Sequence, residues 1–344
     1  MNSHIFFSVY WFLTYKCNLK CIHCIANSSY EINEMDLSID EIRSIIIKLS
    51  KLPIANIILS GGEPLLHKDI KKILLEINNM KIPYVIETNG LLIDEEIINI
   101  LCQAQYKELP KLVVSIDGSK PEYHDKIRGR GNYDNLMKKI NMIEQYNLMY
   151  DINYTINKIN LHDIKNILSW SSNRNVSSLT FGFIIPLGRA QKHIKKLGLD
   201  YNDIIYSLKQ IINYKYLDNI TFPINIKLPP GIIPLHYLKE ISLKKIFLNT
   251  NCDFPRIGIT NNGELTLCTL TKDDFSLGDI RKIKTEEIYQ KYLDIKNKYD
   301  SCDLDGVCIE CDLKQLCKGS CRAFAYKVFG SLKSPHPFCY NRNF

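Results

Sequence analysis

The sequence predicts an α/β protein, an open partial (β/α)6 barrel of the TIM type followed by a C-terminal cysteine-rich segment. Three observations predict it. From residue 7 to about 184, short runs rich in Ile, Val, Tyr and Phe alternate with amphipathic stretches, as βα units around a parallel sheet do. Cys17, Gly61, Asn89 and Asp117 fall at or just past the ends of the β-rich runs, where such sheets bind ligands. Eight of the twelve cysteines lie at or beyond position 252.

The elements follow in order. Strands are expected at 7–14, 56–60, 84–88, 112–117, 151–156 and 178–184. Between them, helices are expected at 39–49, capped by Ser38, and at 68–79, 95–104, 133–146 and 161–170, each with apolar residues recurring at three and four. Six units are too few to close an eight-stranded barrel, so the sheet is expected to stay open. Residues 191–250 break the rhythm with a helix at 202–214 and a turn marked by Pro229, Pro230 and Pro234, and read as a bridge or lid. The expected organisation is therefore a barrel over 1–190, a bridge over 191–250 and a cysteine-rich domain over 251–344.

Composition bounds the function. With 344 residues and 45% hydrophobic content the chain can bury an enzyme-sized core. A formal charge of +7 over this length is too mild to imply nucleic acid, and the lysines at 192, 195, 196, 244 and 245 read as solvated helix faces. The apolar run at 5–13 is too short to span a bilayer and lacks a cleavage site, so neither a membrane nor secretion is expected. Twelve cysteines without a signal peptide point to metal binding in the cytoplasm rather than disulfides.

Cys17, Cys21 and Cys24 follow the first strand at tight spacing. Three thiolates can hold a 4Fe-4S cluster with one iron open to a small ligand, because a closed cluster takes four. Tetrahedral zinc with His23 as a fourth ligand is the alternative that the residues alone leave open. Cys102 reads as a buried core thiol on a helix face.

The Cys-x-x-x-Cys-x-x-Cys pattern resembles the signature of the radical S-adenosylmethionine (SAM) superfamily, with His23 where that family usually has an aromatic residue. The resemblance extends to Gly61, Gly62, Glu63 and Pro64, which look like its GGEP element, and to Glu87-Thr88-Asn89-Gly90 and Ser115-Ile116-Asp117-Gly118 at later strand ends. It implies that Gly61, Gly62 and Glu63 meet the methionyl amino group of SAM. Thr88, Asn89 and Asp117 would line its pocket, Ser115 would reach its ribose or carboxylate, and Arg128 would pair with its carboxylate. Leu187, in Leu187-Gly188-Arg189-Ala190, would lie near the adenosine. The implied chemistry is reductive cleavage of SAM to methionine and a 5'-deoxyadenosyl radical, fed by a flavodoxin- or ferredoxin-type electron donor.

Cys252, Gly263, Cys268, Cys308, Cys311, Cys317, Cys321 and Cys339 resemble the signature of the SPASM extension, which binds two further 4Fe-4S clusters. A zinc ribbon over 308–321 is the rival. The resemblance implies one cluster on Cys308, Cys311, Cys317 and Cys339. It gives Cys252, Cys268 and Cys321 to the other, with Cys302 as the spare fourth ligand or an open iron in its place. Three clusters and SAM are thus the implied cofactors. Such auxiliary clusters suit net oxidation, which needs an electron acceptor near the substrate. Oxidative modification of a ribosomal peptide, crosslinking first, is the expected function. Haem-precursor side-chain modification is the runner-up. Sulfatase maturation is weakened by Thr269 where those relatives have an aspartate, although Asp273 or Asp274 could substitute. A non-catalytic electron-transfer protein is the alternative of a different class. With sixteen residues before Cys17, a peptide is expected to come with a separate leader-peptide-binding protein or to be held by the bridge and barrel mouth.

Overall fold

In the computed structural model the described residues are 6–104, 112–244, 246–249, 256–268, 275–301 and 303–339. The barrel begins with β1 (Phe7–Thr14), α1 (Ile39–Leu49), β2 (Ile54–Gly61), α2 (Ile70–Asn79), β3 (Tyr84–Thr88) and α3 (Glu95–Gln103). It continues with β4 (Leu112–Ser115), α4 (Pro121–Arg128), α5 (Asn132–Gln145), β5 (Tyr150–Ile156), α6 (Ile164–Ser172) and β6 (Val176–Phe183). The six expected strands are present and pair in parallel in chain order.

The helices form for reasons legible in the chain. In α1, Ile42, Ile45, Ile46 and Leu49 are buried on one face, and Ser38 and Glu41 make a reciprocal capping box at its start. The same spacing buries Ile70, Ile73, Leu74 and Ile77 of α2 and Leu136, Ile140 and Ile143 of α5. Each such side chain contributes about 1.5–3 kcal/mol on leaving water. In β5 the alternation is complete: Tyr150, Ile152, Tyr154 and Ile156 are fully buried, while Asn153 and Thr155 face a cavity inside the barrel.

Two features depart from the expectation. Helix α4, not among the expected helices, starts with Pro121 in its first turn, and its length is only eight residues, too short for a periodic pattern to declare itself. The 191–250 segment does more than bridge. After α7 (Arg189–Lys192) at its start, it supplies α8 (Ile194–Leu197), α9 (Tyr201–Ile212), β7 (Ile224–Lys227), α10 (Leu235–Ser242) and β8 (Ile246–Asn249), and both strands extend the parallel sheet past β6. Four-residue strands carry too little alternation to be read from sequence.

The chain then returns to the opposite edge. Strand β9 (Arg256–Ile259) pairs in parallel with β1, and β10 (Glu264–Thr266) and β11 (Ser276–Asp279) add antiparallel strands outside it. Among the described residues, one open sheet of eleven strands therefore carries both the barrel and the start of the C-terminal segment. The cysteine-rich part follows in α11 (Thr285–Asp300), α12 (Lys314–Cys317) and α13 (Arg322–Phe329).

Side chains fasten that part to the barrel. The Tyr292 ring of α11, fully buried, stacks on Phe7 of β1 with centroids 4.3 Å apart. Lys48 at the end of α1 donates to the carbonyls of Ile280, Arg281 and Ile283 at 2.8–2.9 Å. Tyr292→Ala should lower the unfolding free energy by about 3–5 kcal/mol, the range for truncating a buried aromatic ring, with Tyr292→Phe close to the parent. Urea denaturation checks both, and an unchanged midpoint in the alanine variant would mean that α11 does not hold the barrel edge.

Candidate active site and its cysteine arrays

The loop after β1 carries Cys17, Cys21 and Cys24. Its backbone is tied at both ends: Cys17 N–H donates to Ser29 O (3.2 Å), Ile22 N–H to Ile127 O (3.0 Å), and Arg189 N–H to Cys24 O (2.8 Å). The Arg189 guanidinium reaches Cys21 O (3.3 Å) and Ser28 O (3.0 Å) from the far side. Leu19 N–H points at the Cys17 sulfur at 3.4 Å. Burial pushes the Cys17 thiol up to about 12, and Cys21 to about 11 despite the opposing charge of Arg128. Thiols so buried become thiolates only when a cationic group takes the place of the proton.

Against this loop lies the one after β2. Gly62 N–H donates to Thr14 O (2.7 Å) and Glu63 N–H to Lys16 O (2.8 Å). A Cβ on Gly61 would stand 2.2 Å from Thr14 O and one on Gly62 2.1 Å from Lys16 O, so only glycine permits the two loops to touch. Glu63 itself is fully buried, accepting from Thr88 Oγ1 (2.8 Å), Asn89 N–H (2.8 Å) and Leu65 N–H (3.1 Å). Burial raises its carboxyl to about 7 although these three bonds pull it down.

Asp117, just past β4, is also fully buried. Its Oδ2 accepts from Arg128 Nε at 2.6 Å and lies 3.0 Å from His23 Nε2; its Oδ1 accepts from Thr155 N–H at 2.7 Å. Burial alone would raise this carboxyl, but Arg128 and then His23 hold it well below the usual carboxylate range. The guanidinium so fixed lies with Nη1 4.0 Å from the Cys21 sulfur. His124 of α4 accepts the Asp117 backbone N–H at 3.3 Å, and burial, then Arg128, lowers its ring to about 4.

A cavity of about 410 Å³ opens between these loops. Among the residues expected at the site, it gathers Cys17, Cys21, Cys24, Gly61, Gly62, Thr88, Asn89, Ser115 and Arg128. Pro64, Glu63 and Asp117 do not line it; they stand behind the lining and hold it in place. Leu187 lines a separate groove with Ile25, Gly188 and Lys327. The inner barrel face adds side chains that the sequence reading did not single out as site residues: Tyr10, Asn153, Lys227 and Arg256. Tyr10 donates to Glu87, which also accepts from Ser60 Oγ at 3.0 Å. Polar residues at alternate positions of buried strands were the available signal.

The C-terminal cysteines divide into two places. Cys268 and Cys321 line the same cavity as the Cys17 triad, whereas Cys308, Cys311, Cys317 and Cys339 line a second one together. Cys252, Cys302, Thr269, Asp273 and Asp274 lie outside the described residues. Among the described residues, no three His, Cys, Asp or Glu side chains close around a single ion.

An open parallel barrel with a three-cysteine loop and a glycine-rich loop at its mouth defines the class of enzyme that works through SAM and an iron-sulfur cluster. Residues 11–171 match the model of the Radical SAM superfamily, an enzyme superfamily, and a cysteine-rich segment follows that domain in the chain. The chain is 27% identical over 349 residues to the AdoMet-dependent heme synthase of Methanosarcina barkeri, covering 96% of this chain and 95% of that one. It is 24% identical over 321 residues to the antilisterial bacteriocin subtilosin biosynthesis protein AlbA of Bacillus subtilis, covering 88% and 66%. The crystal structure of Streptococcus suis SuiB bound to precursor peptide SuiA shares the fold, with a TM-score of 0.75 at 16% identity over 98% of this chain and 76% of that one. No helix among the described residues is long and apolar enough to cross a membrane.

The site fits SAM and a 4Fe-4S cluster. Three thiols, two of them (Cys17 and Cys21) with protons that burial makes hard to lose, backbone exposed at two glycines, and the buried His23 Nδ1, which has no hydrogen-bond partner in the protein, all meet at this one cavity.

Two predictions follow from the buried carboxylates. Between about pH 4.5 and 7 folded Glu63 keeps a proton that the unfolded chain has released, so stability falls as pH rises through this window, by roughly 3 kcal/mol in all. Urea midpoints of the metal-free, reduced protein from pH 5 to 8 should show that slope, and Glu63→Gln should flatten it. Asp117→Ala leaves Arg128 buried without its partner and should cost about 3–5 kcal/mol; a loss under 1 kcal/mol would show that the Arg128 charge finds solvent instead.

Proposed function

We propose that this enzyme oxidatively modifies a side chain of a ribosomally made peptide, with crosslink formation as the reaction. The observation that carries this reading is the convergence of Cys268 and Cys321 on the cavity that Cys17, Cys21 and Cys24 line. A substrate held there would sit between two iron-sulfur positions, one to start the reaction and one to take the electron that bond formation releases.

Cys17, Cys21 and Cys24 would hold the first cluster, with SAM along Gly61, Gly62, Thr88, Asn89 and Ser115. When bound, this pair supplies one-electron cleavage of a carbon-sulfur bond and, through it, removal of a hydrogen atom from an unactivated carbon. The chain's own part is placement and exclusion of water. Asp117 holds Arg128 beside Cys21, where its charge favours the thiolate. Phe12, Phe183 and Ile184 line the cavity with apolar surface, and Lys227 and Arg256 add cations. Cys308, Cys311, Cys317 and Cys339 would hold a second cluster, and Cys252, Cys268 and Cys321 a third, with Cys302 or an open iron completing it.

A volume of about 410 Å³ stands near the low end of ligand pockets, which run from about 300 to 1,000 Å³. With SAM inside, it leaves room for one inserted side chain more readily than for a rigid macrocycle. The likeness to AlbA and to SuiB supports a peptide; a separate leader-binding protein would deliver it, and a flavodoxin- or ferredoxin-type protein would supply electrons. Haem-precursor modification is the second reading, favoured by the full-length likeness to a heme synthase and by Lys227 and Arg256, which suit propionate carboxylates.

Anaerobically reconstituted protein, reduced and given SAM, is expected to release 5'-deoxyadenosine. Mass spectrometry of the incubated substrate then separates the readings: a peptide losing two hydrogens supports the first, and an iron-porphyrin carboxylate losing carbon dioxide the second. Cys268→Ser should keep SAM cleavage while cutting modified product by about tenfold or more, since losing a ligand costs at least what losing an outer-shell partner does. Unchanged product yield would remove the electron-acceptor role.

A further inference from the structure

Beyond the cavity with the Cys17 triad, Cys308, Cys311, Cys317 and Cys339 face one another across a narrow space roofed by Pro229 and Gly231. His336 lines the same space. Its side chain is 1% exposed, and Nε2 has no hydrogen-bond partner within the protein.

The protonation of this ring is fixed by its other nitrogen. Phe338 N–H donates to His336 Nδ1 at 3.2 Å, so Nδ1 is an acceptor and the proton of the neutral ring sits on Nε2. The ring cannot turn freely, because it packs edge-on between Phe324 (5.3 Å) and Phe338 (5.8 Å). A buried donor without an acceptor costs about 1–3 kcal/mol, which argues for an acceptor that the protein chain does not itself provide. Nε2 could not ligate a metal in this arrangement, since that would need its proton on Nδ1 and would set two donors, Nδ1–H and Phe338 N–H, against each other.

We propose that His336 donates a hydrogen bond from Nε2 to the sulfur of an iron-sulfur cluster held by Cys308, Cys311, Cys317 and Cys339, and thereby raises its reduction potential. The inference rests on the reading that these four cysteines hold a cluster. Reduction adds one negative charge to the cluster, and a fixed donor at a sulfur stabilises the reduced form more than the oxidised one. The electron enters the cluster and the proton stays on His336, so no proton moves with it. Gly231, which has no side chain to intrude on Cys339, sets its backbone N–H against the Cys317 sulfur and acts in the same sense. The outer array is thereby tuned to accept electrons, in keeping with an oxidative reaction.

The test uses the full chain, reconstituted anaerobically, with Cys17, Cys21 and Cys24 replaced by Ala to silence the first cluster. Cys308→Ser is compared first: unchanged iron content would overturn the cluster assignment and the inference with it. With that assignment standing, His336→Phe keeps an aromatic ring and removes the donor, whereas His336→Gln keeps an N–H. In redox titrations followed by electron paramagnetic resonance, His336→Phe is expected to retain iron and to lower the midpoint so that the reduced-to-oxidised ratio at fixed potential falls about tenfold, 59 mV for a one-electron couple. His336→Gln is expected to recover most of that shift. A full-iron His336→Phe protein with the parent midpoint would overturn the inference, as would iron loss in His336→Gln, which would make His336 a ligand.

Discussion

The buried carboxylate of Asp117 is the interaction on which the arrangement of the site depends. It stands at the end of β4, accepts from the backbone of β5 through Thr155, and holds Arg128 from α4 and His23 from the cysteine loop. Four separate pieces of chain are thus registered on two oxygen atoms. A full charge at zero exposure is tolerable only because a guanidinium and an N–H donor meet it directly. Arg128 reaches Cys21 as a consequence, so the same pair that holds the loop in place also sets the charge beside one of its thiols.

The second loop is held by a different device, close contact of bare backbone. Gly61 and Gly62 allow the strand end of β2 to lie directly on the carbonyls of Thr14 and Lys16, and Glu63 behind them gathers donors from the end of β3. The glycines face the cavity, whereas Glu63, expected to meet the amino group of SAM, stands behind the lining and fixes the loop that carries them. Asn89 joins the two systems, donating to Asn18 at 2.8 Å and pointing at the Cys17 sulfur at 4.0 Å.

The continuity of the sheet explains how distant cysteines come to one place. Strand β9 follows residue 252 in the chain yet pairs with β1, the strand that leads to Cys17. A thiol some 250 residues away is delivered to the same cavity because Cys268 follows β10 on that edge and Cys321 caps α13 beside it. The segment at 191–250 is part of the same construction. Its β7 brings Lys227 to the cavity, and the turn that follows it closes over the second cysteine group.

Much of this was legible in the amino-acid order. Periodicity of two and of three to four residues determined the six βα units, and the spacing of cysteines and glycines determined which loops carry chemistry, because both signals are local and each residue bears its own share. The strands β7 to β11 were not legible, since segments of three or four residues acquire their conformation from pairing rather than from their own pattern. Nor did the sequence order say that Arg128 would be engaged by Asp117, that Tyr10 and Arg256 would face the cavity, or that His336 would be left with a buried, unanswered N–H. Those outcomes depend on which side chains the closed core brings within hydrogen-bond distance across 11 to 100 or more residues, and only tertiary packing decides that.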